Sequence, residues 1–272
     1  MNYLILTTLI VWILWFSERY AWWGSTVDLK RPRVLMYHMV SDPVPGAKFN
    51  GLRVSPDIFE RQVRWLKDND WRFVTMSELV RHKPSDKVVA ITFDDGFEDN
   101  YLNAYAILKK YDAKATLYLV VDRHDRDWSV SKKSHHNSGE LKNETKLSDQ
   151  QIQEMLDSGI FELGGHTTTH ANLLALDEDS KYKEIKGSKD ALESLFETKL
   201  SSFAYPFGIY DPIVDPLLVQ RAGFDSAVTT EDGIMGDIAT SPFELQRIKI
   251  SGKDGFLAFK IRMRRGKRGL RK

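Results

Sequence analysis

The sequence predicts an α/β fold built on a mostly parallel sheet or barrel, and three observations carry that expectation. Strand-like apolar runs alternate with helix-like segments from about residue 33 to residue 250. At least one run, Val88 to Phe93, is continuously apolar, as in a strand buried on both faces. Three polar, chemistry-bearing stretches each sit just after such a run, where folds of this class place their active sites.

The elements follow in order. Arg33–His38 reads as the first strand. Ser55 followed by Pro56 opens a helix, serine as cap and proline at its first position, that carries Phe59, Val63 and Leu66. Trp71–Thr75 and Val88–Phe93 are strands, Asn100–Tyr111 has helical spacing, and Ala115–Val121 is extended. Ser148 with Gln151 forms a capping box for a helix through Ile152, Met155 and Leu156. Phe161–Gly164 is a strand, residues 177–198 a long amphipathic helix and Ser202–Tyr205 a strand. Residues 211–222 are helical, and 224–228 and 245–250 are extended. Residues 122–147 hold eleven charged residues and little apolar material, which predicts a long surface loop able to border the site. His124, His135 and His136 lie in it and read as solvated.

Composition excludes more than it assigns. There are no cysteines, so disulfides, zinc–thiolate sites and thiol catalysis are ruled out, and any metal must be held by His, Asp and Glu. The net charge of +1 implies no partner. The last eleven residues hold seven basic side chains and no acid, which reads as a solvated basic tail or a contact for anionic lipid. No nucleic-acid recognition motif accompanies it. Tyr3–Phe16 is uncharged and apolar. Fourteen residues are short of the roughly 17–25 that span a bilayer, but counting through Trp23 makes a span feasible. A cleaved signal would want a basic start and a small-x-small site, which are absent, so an uncleaved anchor over residues 1–24 is expected.

The chemistry gathers in three places. Asp94 and Asp95 are adjacent in ITFDDGF, and two buried carboxylates side by side need a positive partner. His166 and His170, in GGHTTTH, are four apart, a spacing that on one side of a helical turn suits a single metal ion. Asp95, His166 and His170 would leave an open coordination position, the pattern of a catalytic divalent site, and Asp94 could take a proton from metal-bound water. Phe203-Ala204-Tyr205-Pro206-Phe207-Gly208 supplies a tight turn beside them.

Together TFDDG, HTTTH and YPFG resemble the three ordered motifs of the polysaccharide deacetylase family, the carbohydrate esterases that include chitin and peptidoglycan deacetylases. Leu35–Val40 is similar to the first strand of the subgroup acting on poly-N-acetylglucosamine. The resemblance implies a distorted (β/α)7 barrel over residues 31–252; composition places one N-terminal hydrophobic helix before it and an amphipathic, basic tail, 253–272, after it. The resemblance also implies Asp94 as general base, a divalent metal (zinc, with cobalt or nickel as alternatives) on Asp95, His166 and His170, and the backbone N–H of Phe207 at the oxyanion. The substrate would be an N-acetylated amino sugar of a glycan or glycolipid. Two departures stand out. No Arg opens the third motif, leaving Arg247 either as a substitute that would orient the base or as a plain surface residue. No histidine follows His170, so His38 is the candidate acid or substrate ligand, against a packed structural role. Hydrolysis of a formamide or cyclic amide, and a glycan-binding protein with a decayed site, are the alternatives. The flanking Arg19, Lys30, Arg31 and Arg33 place the domain on the cytoplasmic side of a membrane, whereas the family resemblance points outward into the cell envelope, so the sequence leaves the side unassigned.

Overall fold

In a computed structural model of the chain, residues 2–81, 86–128, 139–267 and 269 are described, and among them eight parallel strands form the sheet. They are β1 (Arg33–Tyr37), β2 (Arg72–Phe73), β3 (Val88–Asp94), β4 (Ala115–Leu119), β5 (Phe161–Gly165), β6 (Ser202–Ala204), β7 (Ser226–Asp232) and β8 (Leu245–Lys249). Seven close into a barrel. β3 to β8 pair in sequence order, β8 pairs with β1, and β1 closes on β3 through Arg33↔Val89 to Tyr37↔Phe93. β2 is the exception: only Arg72 and Phe73 pair, with Val88 and Val89, before β4 takes over that edge of β3 at Ile91.

Period-two alternation divides the core. Leu35, Tyr37, Val89, Ile91, Phe93, Leu117, Leu163 and Ile248 belong to the larger cluster, packed under the helices. Val34, Val88, Ala90, Tyr118, Ala204, Val228 and Leu245 form a second, interior cluster. The same parity turns Thr92, Asp94 and Arg247 inward.

The helices are α1 (Asn2–Tyr20), α2 (Pro56–Asp68), α3 (Met76–Val80), α4 (Ala106–Tyr111), α5 (Glu140–Asn143), α6 (Asp149–Asp157), α7 (Glu178–Phe196), α8 (Asp215–Arg221) and α9 (Phe256–Arg265). Gln151 N donates to Ser148 Oγ (3.2 Å) and Ser148 N to Gln151 Oε1 (2.9 Å), so the expected box starts α6. Ser55 precedes α2 but makes no side-chain cap bond; Pro56 alone marks that start. A second box, Thr75 with Glu78, opens α3, which sends Met76 and Leu79 into the interior cluster. Neither α3 nor α9 was expected. Residues 100–105, expected as α-helix, are wound as a π-helix that runs into α4.

The termini correct two expectations. α1 ends at Tyr20, Ala21 turns at φ +41°, and Trp22 and Trp23 lie beyond the helix, so they do not lengthen its apolar stretch. No helix among the described residues is long and apolar enough to cross a membrane. Arg262, expected in a solvated tail, is buried in α9 and paired with Asp232 (2.6 Å) and Asp254 (3.1 Å). Arg268, Arg271 and Lys272, like His135 and His136, lie outside the described residues. His124 is exposed.

Candidate metal centre and active-site cleft

Four strand ends deliver the site. β3 ends on Asp94, and Asp95 follows at φ +79° with Gly96 at φ +81°. A Cβ on Gly96 would lie 2.4 Å from Leu119, so only glycine lets the chain turn there. After β5, the stretch 166–170 is not a helical turn, as the spacing suggested. Thr167 (φ +64°) and His170 (φ +57°) take left-handed conformations, and the three threonines form a loop. Glu184 of α7 holds that loop: its carboxylate accepts from Thr168 N (2.9 Å), Thr169 N (2.9 Å) and Thr169 Oγ1 (2.9 Å). After β6, Phe207 (φ +59°) and Gly208 (φ +65°) make the tight turn. A Cβ on Gly208 would meet Thr230 Oγ1 at 2.0 Å. Positive φ at a non-glycine residue costs about 1–3 kcal/mol, and four such residues sit in these three motifs.

The loop nonetheless brings the imidazoles together, His166 and His170 edge to face with centroids 4.8 Å apart. Asp95 Oδ1 lies 3.3 Å from His166 Nε2 and 3.2 Å from His170 Nε2. A tetrahedral ion with ligands at about 2.0–2.1 Å separates those ligand atoms by roughly 3.3 Å, so the three residues fit a divalent metal. His166 Nδ1 lies 2.7 Å from the Ala204 carbonyl, which fixes the ring with Nε2 toward Asp95. All three are buried. Burial pushes the Asp95 carboxyl up, but hydrogen bonds from His166 and His170 outweigh it and hold the group well below the carboxylate range. Burial lowers His170, against the opposing pull of Asp95.

Asp94 is separated from this trio by its own partner. Arg247 Nη1 donates to Asp94 Oδ1 (2.6 Å) and Nη2 to Asp94 Oδ2 (2.7 Å), a fork-on-fork pair with both side chains buried. Arg247 is itself held by Thr229 O (2.8 Å from Nε) and Thr92 Oγ1 (3.1 Å from Nη1). Burial raises the Asp94 carboxyl, but the guanidinium more than offsets it, and the group stays below its usual range. The two adjacent carboxylates therefore have different cations available: Arg247 for Asp94, a metal for Asp95.

Asp94, Asp95, His166, His170, His38 and Phe207 line one cleft of ≈ 380 Å³. His38, half-buried, follows β1, and its carbonyl accepts from Asn100 Nδ2 (2.8 Å). The Phe207 ring packs edge-on against His170 at 4.4 Å. Met36, Phe49, Leu52, Trp128, Leu141, Thr230 and Lys249 also line the cleft; none was singled out from the sequence, although the loop that supplies Trp128 and Leu141 was expected to be able to border the site. Trp128 and Leu141 come from the charged loop after β4, and Trp128 lies against His170 at 5.0 Å. Behind it Lys146 sits over Trp128 (4.9 Å) and Phe97 (4.7 Å), and its amine donates to Leu141 O (2.7 Å) and Glu144 O (2.6 Å). Burial lowers the Lys146 amine to about 8. An aromatic in a charged loop was the one signal that could have singled out Trp128. Glu184 carries none, being one acid among many on an amphipathic helix.

Comparison with known proteins agrees with this geometry. A family profile described as polysaccharide deacetylase matches residues 81–226. YxkH of Bacillus subtilis, named as a polysaccharide deacetylase, is 32% identical over 236 residues, covering 85% of this chain and 75% of its own. The poly-β-1,6-N-acetyl-D-glucosamine N-deacetylase of Staphylococcus aureus is 29% identical over 191 residues, 66% of this chain; the match spans 61% of that enzyme's length. Among solved structures, the polysaccharide deacetylase BC0361 of Bacillus cereus superposes with a TM-score of 0.71 at 31% identity, covering 86% of this chain and 69% of that one. The Streptococcus pyogenes deacetylase PplD, solved with acetate, gives 0.67 at 30% identity over 84% of this chain and 95% of its own.

Proposed function

This chain belongs to the polysaccharide deacetylase family, and from that premise we propose that it is a metal-dependent hydrolase removing N-acetyl groups from the amino sugars of a glycan. The observation that carries the proposal is the division of the paired carboxylates, Asp94 held by Arg247 and Asp95 turned to His166 and His170 in one cleft. A decayed, binding-only site has no use for the second, separately oriented carboxylate.

Two imidazoles and a carboxylate suit a divalent ion such as zinc, with cobalt or nickel as alternatives. When bound, that ion supplies Lewis acidity to the acetyl carbonyl and lowers the pKa of water. The chain's residues do the rest. Asp94 takes the proton of the attacking water, and Arg247 holds its two oxygens in a fixed plane so that the accepting lone pair faces the substrate. The backbone N–H of Phe207 donates to the oxyanion as the carbonyl becomes tetrahedral. The C–N bond then breaks; His38, which lines the same cleft, gives the departing nitrogen its proton, and acetate and a free amine result. Trp128, Leu141, Phe49 and Leu52 exclude water from the acetyl group. Two likenesses support this substrate class: PplD was solved with acetate, and the S. aureus relative is named for poly-β-1,6-N-acetyl-D-glucosamine.

The test is acetate release from a panel of polymeric and lipid-linked N-acetylhexosamines, with and without chelator. Release should stop on removal of divalent ions and return when zinc is restored. Asp94→Asn should keep the metal and lose turnover. Undiminished release after complete metal removal, or normal turnover by Asp94→Asn, refutes the proposal.

A further inference from the structure

Among the described residues, the most exposed apolar surface is that of α1. Leu4, Ile5, Val11, Trp12 and Leu14 are each more than half exposed, and so are Leu6 and Leu9 on the other side of the helix. Contiguous exposed apolar surface of this extent marks a protein or membrane partner. A protein partner would cover one face and leave a polar one outside, but α1 has no polar face from Tyr3 to Phe16. Its two threonine hydroxyls are turned inward: Thr7 donates to Tyr3 O, and Thr8 to Leu4 O at 2.8 Å. A helix apolar all round, with its threonine hydroxyls satisfied by its own backbone, suits hydrocarbon.

The second observation is what lies at its root. The end of α9 packs there. Arg265 Nη1 donates to Tyr20 O (3.3 Å), and Val27 N to Arg264 O (2.8 Å). Arg19 stands over the rings of Trp15 (5.5 Å) and Tyr20 (5.7 Å). Arg264, Lys267, Trp22 and Trp23 are exposed. Folding thus gathers Arg19, Arg264, Arg265 and Lys267, from opposite ends of the chain, around the base of the apolar helix, with Glu18 and Asp28 as the nearby acids. Basic and tryptophan side chains together at the foot of an apolar helix match an anionic headgroup layer.

The third observation is position. Arg33, the first residue of β1, ties this root to the barrel, its guanidinium donating to Met263 O (2.9 Å), Asp28 O (3.0 Å) and Val27 O (3.1 Å). The root therefore sits where the strands begin. The cleft is built where they end, with His38 five residues along β1 from Arg33, about 17 Å at 3.3 Å per residue.

We propose that this chain seats the strand-start end of its barrel on an anionic lipid bilayer, α1 entering the hydrocarbon and the Arg19–Arg264–Arg265–Lys267 cluster meeting the headgroups, so that the cleft opens away from that bilayer. Resting on the deacetylase reading above, this makes the substrate a glycan polymer standing off the membrane, not an amino sugar linked to a lipid of the same leaflet. The apolar run is about 21 Å long at 1.5 Å per residue, short of the roughly 30 Å hydrocarbon core, so the helix embeds without crossing.

The absence of cysteine allows single-site labelling of the full chain. Lys30→Cys marks the root and Asp42→Cys the cleft side; both positions are exposed. On vesicles of phosphatidylcholine with phosphatidylglycerol that carry a headgroup acceptor dye, energy transfer should be strong from position 30 and weak from position 42. In flotation, Ile10→Lys with Leu14→Lys should reduce vesicle binding at least tenfold. Arg264→Glu with Lys267→Glu should weaken binding to the anionic vesicles and leave the weaker binding to pure phosphatidylcholine unchanged. Failure to float, equal or reversed transfer, or self-association through α1 that excludes lipid overturns the seating. Vesicle-bound enzyme should release acetate from soluble poly-N-acetylglucosamine and far more slowly from an N-acetylhexosamine lipid in the same vesicles; the reverse order overturns the substrate assignment. Correct seating with no acetate from either substrate would refute the deacetylase reading and leave the orientation standing.

Discussion

Replacing Arg247 by methionine removes the guanidinium while keeping most of the side-chain length. In the native protein that group makes two charged hydrogen bonds to Asp94 and further bonds to Thr92 and Thr229, all buried. Breaking one partner out of a buried ion pair costs about 3–5 kcal/mol, because the remaining charge stays uncompensated. The upper half of that range is expected here, since the Thr229 carbonyl also loses its donor. For a domain of this size that lowers the melting temperature by roughly 8–20 °C, at about 2–4 °C per kcal/mol. Turnover should fall by about 10²–10⁴, the usual contribution of a positioned general base, with a smaller change in KM and an unchanged metal content. Asp94→Asn alone should be comparably inactive, and the double variant no worse in turnover than either. In stability the double variant should recover about 1–3 kcal/mol relative to the sum of the singles, since neither partner is then left charged and alone. The assays are thermal and urea unfolding of the four proteins, acetate release and elemental analysis. Additive stabilities within about 0.5 kcal/mol, or an Arg247→Met turnover within about threefold of wild type, would refute the claim that Arg247 positions the base.

Glu184→Ala should weaken metal binding about 10–100-fold, since a partner that orients a ligand loop acts at that level, while Glu184→Gln, which keeps one acceptor, recovers part of it; zinc titration checks both. Gly208→Ala should lose activity and stability together, because its Cβ would stand 2.0 Å from Thr230 Oγ1 at a φ of +65°; a fully active, equally stable variant contradicts the turn geometry. Asp99 is raised to about 6 by burial, against hydrogen bonds from Ser41 and Val40 and the charge of Arg53. The folded state then holds a proton that the unfolded chain releases near pH 4, so this group's stabilising contribution is lost as pH rises from about 4 to 6. Asp99→Asn should therefore be about 1–3 kcal/mol more stable than wild type at pH 7.5, with the difference vanishing by about pH 4 in urea unfolding.

Legibility differed element by element. β3 was readable because Val88–Phe93 is continuously apolar, and α6 because Ser148 and Gln151 form a reciprocal cap three residues apart. β2 was over-read: Trp71–Thr75 has strand-like residues, but only two find a partner before β4 occupies the edge. The His166–His170 spacing pointed to two imidazoles that do converge beside Asp95, but through the wrong geometry. Four residues bring two imidazoles together on a helix, but here a strained loop does so, held by an acid on a distant helix. Counting Trp22 and Trp23 into α1 failed because the chain turns at Ala21.

The sequence by itself determined where strands end and that carboxylates and imidazoles follow those ends, because hydrophobic period, caps and glycine turns act over a few neighbouring residues. The motif resemblance offered Arg247 as the partner of Asp94, but only the tertiary structure decided that it is one, since the two are 153 residues apart and meet through closure of the barrel. Closure likewise put the base of α1 and the end of α9 at one pole and the cleft at the other. Such contacts are made by whichever groups the fold carries to the same place, and no local pattern along the chain encodes them.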